Sequence, residues 1–327
     1  MPARRQLALF VALAGALAAG ALIGMAWTVG IHGVLTKLVH PHWMWLGVAL
    51  AGEVCAYLGY TLMYRDVARA EGGAELAVPR AAALVAAGFG VFVHGGGFSL
   101  DHQALRRAGL TATEARRRVL GLGMLEYAVL APATMVAAVI VLVRHQSVSR
   151  GLTLPWIVGV PAGALVAFAA LRARKSVERW RHVGKPLRHA LNALRLVLSL
   201  LARPQEFGRT FLGALVYWAG DVFVLWATLH AFSAQTPPLA QLVVGYSTGY
   251  ALTRRALPLG GAGVVETLLP LSLGWLGIAR APGLLAVFAY RVVNLWLPLV
   301  PALAGLPSLR RLEQAQPRRR RPSPART

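Results

Sequence analysis

Charged residues are scarce in this chain of 327 residues, at 14% of the total, whereas apolar types make up 57%. Soluble domains normally carry about a quarter charged residues, so the composition argues against an ordinary soluble fold. Intrinsic disorder is excluded too, because disordered chains have too few apolar residues to form a core. The composition therefore favours a protein that places much of its surface in lipid.

Acidic residues are scarcer still, since 12 Asp and Glu stand against 34 Lys and Arg, a formal charge of +22. A nucleic-acid-binding protein would carry such an excess on a soluble basic face. In multi-pass membrane proteins, by contrast, arginine and lysine accumulate in the cytoplasmic loops. The charge balance therefore predicts a membrane protein without a nucleic-acid partner.

Cysteine is almost absent, because Cys55 is the single thiol and lies in an apolar stretch. An intrachain disulfide and a thiolate metal cluster are both excluded, and a packed structural thiol is the simplest interpretation. The histidine pairs His40 with His42 and His94 with His102 have no compact acid cluster beside them. We therefore predict no metal site and no cofactor.

Long apolar runs are the feature that the chain does have. Six of them cover residues 7–29, 43–64, 119–143, 154–171, 209–232 and 282–305. A hydrocarbon layer of about 30 Å needs about 20 helical residues, so each run is a candidate span. Two further segments, 81–100 and 239–278, are apolar but rich in glycine. The pattern predicts an all-α polytopic integral membrane protein with about eight membrane helices.

The positions of Lys and Arg predict how these segments cross the membrane. If segment 81–100 enters and leaves on the cytoplasmic side, 27 of the 34 basic residues lie on that side. We therefore predict a protein of the cell (cytoplasmic) membrane with both termini in the cytoplasm. Segment 239–278 then begins and ends outside, either as two short spans or as a re-entrant hairpin.

The chain is predicted to form a single transmembrane domain over residues 1–308, followed by a disordered basic tail over 309–327. Within the domain, residues 172–208 form a basic cytoplasmic segment with leucines at helical spacing. These leucines are Leu187, Leu191, Leu194, Leu198 and Leu201. Such an amphipathic helix lies on anionic headgroups or packs on the protein itself, and both alternatives stay open.

The two glycine-rich segments share a spacing that predicts an internal repeat, with elements near 81–132 and 239–298. In both, a Gly-Gly pair precedes an acid by six positions, and a proline follows the acid after 31 or 32 positions. The acids are Asp101 and Glu266. Because the charge count gives the segments opposite orientations, the pattern indicates an inverted repeat of broken, re-entrant helices, as in alternating-access transporters.

Several charged residues lie inside apolar runs, where each costs several kcal/mol unless it is paired or hydrated. They are Glu53, Glu126, Asp221, Glu266, Arg254, Arg255 and Arg291. Snorkelling to the interface suits Arg254 and Arg255 best. For the deeper charges, a structural ion pair and a substrate-binding site both stay open. The repeat favours Glu126 with Arg291, an acid and a base at nearly equivalent places.

Two motifs suggest a serine hydrolase, namely G-x-S-x-G at residues 245–249 and the glycine-rich stretch after His94. That enzyme class places its acid and its histidine after the serine. Here the last aspartate is Asp221 and the last histidine is His230, both before the motif. We therefore reject the hydrolase interpretation and predict no catalytic residue.

The C-terminal motif also carries a family resemblance. Residues 249–250, 257–266, 290–291 and 296–298 resemble the lysylphosphatidylglycerol synthase transmembrane region. This is the flippase-like domain of the multiple peptide resistance factor and its stand-alone relatives, and the likeness covers about residues 80–305. The resemblance implies a membrane protein that moves lipid between leaflets, in some relatives an aminoacylated phosphatidylglycerol.

By motif position, the resemblance implies that Glu266, Arg291 and both glycine-rich breaks line the lipid path. We expect a stand-alone form without the aminoacyl-transferring domain, which should therefore not make lysyl-lipid. The first break reads His94-Gly95-Gly96-Gly97, where relatives more often have a turn with Asn and Pro. This departure leaves the identity of the lipid open.

The leading hypothesis is translocation of an anionic or aminoacylated phospholipid, or a related lipid-linked substrate, between leaflets. The alternatives are an intramembrane lipid-headgroup transferase and a non-transporting membrane subunit of a lipid-modifying complex. Expected partners are the membrane phospholipid and either a second copy of the chain or a separate lipid-modifying enzyme. The predicted path residues are Gly95, Gly96, Gly97, Asp101, Glu126, Asp221, Arg254, Arg255, Gly260, Gly261, Gly263, Glu266, Tyr290 and Arg291.

Overall fold

The computed structural model describes residues 4–38, 41–91, 97–144, 148–173, 184–251 and 261–298. Every regular element in these ranges is helical, which confirms the all-α prediction. The helices are α1 (Arg4–Val29), α2 (Ile31–Leu38), α3 (Trp43–Arg69), α4 (Val78–Val91), α5 (Gly97–Arg107), α6 (Ala112–Val143), α7 (Arg150–Arg172), α8 (Gly184–Leu201), α9 (Pro204–Ala231), α10 (Leu239–Tyr246), α11 (Val265–Trp275) and α12 (Arg280–Arg291). Two π-helical turns follow α10 and α12, the first at Ser247–Ala251 and the second at Val292–Trp296.

Five helices are long and apolar enough to cross a membrane, namely α1, α3, α6, α7 and α9. They correspond to the first five predicted apolar runs. The sixth run, 282–305, begins within α12, and its residues beyond 298 lie outside the described part of the chain. The structure thus supports a multi-pass membrane protein, while a total of about eight membrane helices stays a prediction.

The outer surface of the bundle is apolar, as lipid contact requires. Helix α7 exposes Leu165 and Val166 at 69% each, and α1 exposes Trp27 at 72%. Large apolar side chains in such numbers on an outer face mark an interaction with lipid or protein. Because these helices also have the length of a membrane span, lipid is the environment that fits them.

Helices α3 and α9 run antiparallel and make the most extensive contact of the bundle. Small residues permit it, because a Cβ added at Gly59 would lie 2.6 Å from the carbonyl oxygen of Gly213. Two helical turns further along the same α3–α9 contact, which we call the glycine seam, a Cβ at Gly220 would lie 2.9 Å from the carbonyl oxygen of Gly52. Glycines at helix interfaces in membranes let backbones approach this closely.

The glycine seam also sets the depth of two acidic side chains. Glu53 follows Gly52 in α3, and Asp221 follows Gly220 in α9, so the antiparallel pairing brings both acids to one level. Each acid lies ten residues from the same end of the helix pair, which is about 15 Å at 1.5 Å per residue. The acids therefore sit well inside the bundle, and both are buried.

Polar contacts join the beginning of α6 to the end of α3. Helix α6 begins with a capping box, in which the Thr111 amide donates to the Glu114 carboxylate at 2.9 Å. Two turns on, the buried guanidinium of Arg118 donates to the carbonyl oxygens of Ala68 and Ala70 at 3.1 and 2.6 Å. The last carbonyls of a helix have no partner within it, so Arg118 stabilises the end of α3.

The glycine-rich segment 239–278 contains two short helices that pack antiparallel. Gly245 of α10 lies against Leu276, which follows α11, while Gly249 lies against the middle of α11. Helix α11 has 11 residues and is therefore about 16 Å long, which is shorter than the hydrocarbon layer. Because residues 252–260 fall outside the described ranges, the re-entrant hairpin stays a prediction.

The other glycine-rich segment, 81–100, includes the last part of α4 and the beginning of α5, which pack against each other. Residues 92–96 between them are not among those the structure describes. The predicted cytoplasmic hairpin, the inverted repeat built on it and the basic tail over 309–327 therefore stay predictions.

Helix α8 packs on α6 and α9 with one face. Its buried side chains are Leu191, Ala193, Leu196, Val197 and Leu200. Of the predicted leucine stripe, Leu191 belongs to this face, whereas Leu198 and Leu201 are 43% and 48% exposed. The helix has a second apolar stripe, offset from the leucine repeat, and this second stripe meets α6.

Candidate functional site

Eight polar side chains meet in the interior of the bundle, and we call them the buried polar cluster. All are at most 7% exposed. The members are Glu53, Asp221, Tyr246, Tyr250, Glu266, Tyr290, Arg291 and Asn294. They come from α3, α9, α10, α11, α12 and both π-helical turns, so the cluster forms only when these elements assemble.

Asp221 is the centre of the hydrogen-bond network. Its Oδ2 accepts from the Tyr246 hydroxyl at 2.6 Å, and its Oδ1 accepts from the Tyr290 hydroxyl at 2.9 Å. The Asn294 amide nitrogen also donates to Oδ1, at 2.8 Å. A buried carboxylate requires such donors to replace its lost hydration. Three separate elements therefore hold one acid in place.

Glu266 and Arg291 form a buried ion pair, with 2.7 Å between Oε1 and Nε. The second carboxylate oxygen of Glu266 accepts from the Gly263 amide, also at 2.7 Å. Glu266 lies in the first turn of α11, where the helix dipole favours a negative charge. One carboxylate thus joins α12 to the beginning of α11.

The backbone conformation before Glu266 explains why glycines occur there. Gly261 has a φ of 70° and Gly263 a φ of 85°, values in the left-handed region that other residues rarely adopt. This backbone turns the Gly263 amide toward Glu266. The described turn directly before α11 therefore positions the ion pair.

Asn294 links the two acids of the α3–α9 seam. Its amide nitrogen is 2.8 Å from Asp221 Oδ1 and 3.4 Å from Glu53 Oε2. Its carbonyl oxygen accepts from the Tyr250 hydroxyl at 2.8 Å. Tyr250 and Asn294 each lie in a π-helical turn, a rare geometry that is frequent at functional sites.

Three tyrosine rings form one wall of the cluster. The ring centroid of Tyr250 lies 5.3 Å from that of Tyr246 and 5.4 Å from that of Tyr290. The Arg291 guanidinium carbon is 5.9 Å from the Tyr250 centroid, within range of a cation–π contact. The wall combines apolar ring faces with hydroxyls that bond to Asp221 and Asn294, which suits an amphipathic ligand.

Of the predicted path residues, Asp221, Glu266, Tyr290 and Arg291 come together in the cluster, with Gly261 and Gly263 beside them. Glu126 is buried in α6 and borders the cluster through Trp218. The Trp218 indole donates to the Glu126 carbonyl oxygen at 2.9 Å, and its ring lies 6.2 Å from that of Tyr246. The ion pair described for Arg291 is with Glu266.

Of the remaining predicted residues, the structure describes only Gly97 and Asp101. Asp101 is buried in α5, which begins at Gly97. The predictions for Gly95, Gly96, Arg254, Arg255 and Gly260 fall outside the described residues. The cluster residues absent from the predicted path are Glu53, which was noted only as a charge inside an apolar run, and Tyr246, Tyr250 and Asn294. For Tyr246 the signal was the G-x-S-x-G segment, which drew attention to its serine, while Tyr250 directly follows that segment and belongs to the family motif at residues 249–250.

The G-x-S-x-G segment serves helix packing in this structure. The buried Ser247 hydroxyl lies 2.7 Å from the Thr134 hydroxyl of α6, and the Trp156 indole of α7 donates to Thr248 at 2.9 Å. A Cβ at Gly245 would lie 2.7 Å from the Leu276 side chain, and one at Gly249 2.8 Å from a backbone atom of α11. The motif therefore joins four helices behind the tyrosine wall.

The fold and the cluster define a class, a multi-pass α-helical membrane protein with buried charges at the centre of its bundle. The family model for the lysylphosphatidylglycerol synthase TM region matches residues 9–302. The chain therefore belongs to this family, which confirms the resemblance of its C-terminal motif and associates it with membrane lipid. No curated protein matches the chain.

Proposed function

We propose that the protein translocates an anionic or aminoacylated phospholipid, or a related lipid-linked substrate, between membrane leaflets. The buried polar cluster carries this proposal, because it places charged groups inside a bundle whose outer face is apolar. Ionisable residues within membrane-embedded helices mark substrate or ion pathways. Membership of a family associated with membrane lipid makes a phospholipid the fitting substrate class.

In this proposal, Arg291 holds the phosphate of the lipid. The planar guanidinium binds two oxygens at once, which makes arginine a strong phosphate ligand. Glu266 orients the guanidinium through its bond to Nε and is itself held by the Gly263 amide. The pair would loosen when phosphate arrives, because both anions compete for one cation.

The acidic side of the cluster receives the rest of the headgroup. Asp221 and Glu53 are linked through Asn294, and the backbone carbonyl of the buried Glu126 accepts from Trp218 at the border of the cluster. In an aminoacylated lipid, these acids would meet the ammonium group, while in an anionic lipid they would carry a proton. The tyrosine wall would contact the apolar part of the headgroup region.

The test is leaflet exchange of labelled phospholipids by purified protein in liposomes. Wild type should exchange an anionic or aminoacylated phospholipid faster than protein-free liposomes. Arg291→Met should lower the rate strongly, whereas Arg280→Gln, at an exposed arginine that begins α12, should not. If wild type gives no more exchange than empty liposomes for any of these lipids, the proposal is wrong.

One observation favours the headgroup transferase as a second candidate. The Tyr246 hydroxyl and the Asp221 carboxylate are only 2.6 Å apart, and a hydrogen-bonded acid and hydroxyl are components of general acid–base catalysis. Formation of a modified lipid without leaflet exchange, lost in Asp221→Asn and in Tyr246→Phe, would select this function. Copurification with an enzyme, with no activity of the chain alone, would point to the subunit alternative.

A further inference from the structure

One end of the bundle collects exposed arginines. There α3 ends, α6 and α9 begin, and α8 lies across them. The contacts that bring these elements together are Arg116 Nη1 with His189 Nε2 at 3.2 Å, Ser199 with Glu71 at 3.1 Å and Arg69 with the Glu206 carbonyl at 3.1 Å. We call the exposed residues Arg106, Arg116, Arg188, Arg195 and Arg209 the arginine-rich end.

Three of the four exposed acidic side chains at this end are engaged by other groups. Glu71 pairs with Arg117 and accepts from Ser199, and Glu114 belongs to the capping box of α6. Glu206 lies 3.7 Å from Arg203. The fourth is Glu75, which is exposed in the connection that follows α3, so in the described part of the chain the five arginines still outnumber the exposed acids at this end.

Two of these arginines lie one helical turn from an exposed leucine. Arg195 precedes Leu198 by three residues in α8, and Arg209 precedes Leu212 by three residues in α9. Residues three apart share one face of a helix. Leu198 and Leu212 are exposed, so each face presents an apolar group beside a cation. Long basic side chains at such a boundary extend to the headgroup region.

We propose that the arginine-rich end binds the headgroups of anionic phospholipids in the adjacent leaflet. Charge complementarity selects the partner, because anionic headgroups attract clustered basic residues at a membrane surface. The exposed leucine beside each of two arginines favours a lipid bilayer over a soluble acidic protein, because the bilayer offers apolar chains next to its anionic headgroups. This surface is separate from the buried polar cluster, so the inference does not depend on transport.

The test measures which lipids stay bound to the protein. Purified protein is placed in nanodiscs that contain equal amounts of phosphatidylglycerol and phosphatidylcholine, and retained lipids are counted by native mass spectrometry. Wild type should retain mainly phosphatidylglycerol. A variant with Arg116, Arg188, Arg195 and Arg209 changed to Gln should lose at least about fivefold of this preference, because each arginine adds to the attraction.

The opposite end of the bundle supplies the matched control. Arg144 directly follows α6, Arg150 begins α7, Arg280 begins α12, and all three are exposed. Changing these three residues to Gln should leave the preference for phosphatidylglycerol intact. The four-residue variant of the arginine-rich end made with Lys instead of Gln should also keep it, because the positive charges remain. Equal losses at the two ends, or no preference in wild type, would overturn the proposal. The proposal would also be overturned if soluble polyglutamate bound to this end and abolished the preference for phosphatidylglycerol.

Discussion

The buried polar cluster and the arginine-rich end both concentrate charge, but they hold it in different ways. In the cluster, each charged group has partners from other helices at defined distances, such as the 2.7 Å between Glu266 and Arg291. At the arginine-rich end, five exposed arginines share a surface with fewer exposed acids among the described residues. The comparison teaches that the buried polar cluster depends on the exact position of each side chain, whereas the arginine-rich end depends on the number of its positive charges.

The largest effect is expected at Arg291. Arg291→Met leaves the Glu266 charge buried without its cation, which should destabilise the fold by about 3–5 kcal/mol. The double variant Arg291→Met with Glu266→Met should recover most of this loss but not leaflet exchange. Chemical unfolding in detergent measures the first effect and the liposome assay the second. A double variant that exchanges lipid like wild type would contradict the assigned role of the pair.

Asp221→Asn should have the next largest effect. The Asn amide has the shape of the carboxylate, but its NH₂ group replaces one of the two accepting oxygens. That NH₂ group would face either the Tyr246 hydroxyl or the donors of Tyr290 and Asn294, and two donors cannot form a hydrogen bond with each other. Losing a hydrogen bond to a charged buried group costs about 1.5–3 kcal/mol. Unfolding measurements on Asp221→Asn and Tyr246→Phe should show the larger loss for the acid. If Asp221→Asn lost less unfolding free energy than Tyr246→Phe, Asp221 would not be the centre of the hydrogen-bond network.

Gly59→Ala tests the seam that sets the depth of the cluster. Its new Cβ would lie 2.6 Å from a backbone oxygen of α9, which cannot move aside as a side chain does. Overpacking of this kind costs about 1–3 kcal/mol. The matched control is Gly47→Ala in the same helix, where nothing lies within 4 Å. Equal unfolding free energies for the two variants would contradict the close approach of α3 and α9.

Neutralising the arginine-rich end should change stability little. Exposed substitutions away from structural contacts usually stay within about 0.5 kcal/mol. The variant with Arg188→Gln, Arg195→Gln and Arg209→Gln should therefore unfold like wild type while its lipid preference falls. A large loss of stability would show that these arginines have structural partners, and the contrast with the cluster would disappear.

The smallest effect concerns His189 at the same end. Burial, followed by the neighbouring charges of Arg116 and Arg188, lowers the pKa of His189 from its ordinary value of 6.5. A histidine with a lowered pKa resists protonation in the folded state, so stability should fall slightly as the pH drops below that ordinary value. Arg116→Gln should raise the pKa in an NMR titration. An unchanged pKa would show that Arg116 does not act on His189.

Hydrophobic runs were sufficient to predict the five long helices, because about 20 apolar residues have few other structures available. The acids and Arg291 were also predictable, since a charge in an apolar run is conspicuous. The glycines before Glu266 indicated a break, and the described turn directly before α11 has positive φ at Gly261 and Gly263.

The neutral members of the cluster other than Tyr290 were beyond that reasoning. Asn294 and Tyr250 carry no charge, and their roles depend on two π-helical turns that side-chain periodicity does not reveal. The level of Glu53 beside Asp221 depends on the pairing of two distant glycine-lined helices. The buried face of α8 was likewise obscured, because the helix has two apolar stripes and only contact with α6 selects one.

The most direct test of the central claim is to ask whether lipid enters the buried polar cluster. A phosphatidylglycerol with a photoreactive headgroup is incorporated into proteoliposomes and irradiated, and the adducts are mapped by peptide mass spectrometry. The account predicts adducts within residues 246–251 or 290–294 that decrease in Arg291→Met and persist in Arg280→Gln. Adducts confined to the outer apolar faces of α1 and α7 would contradict it.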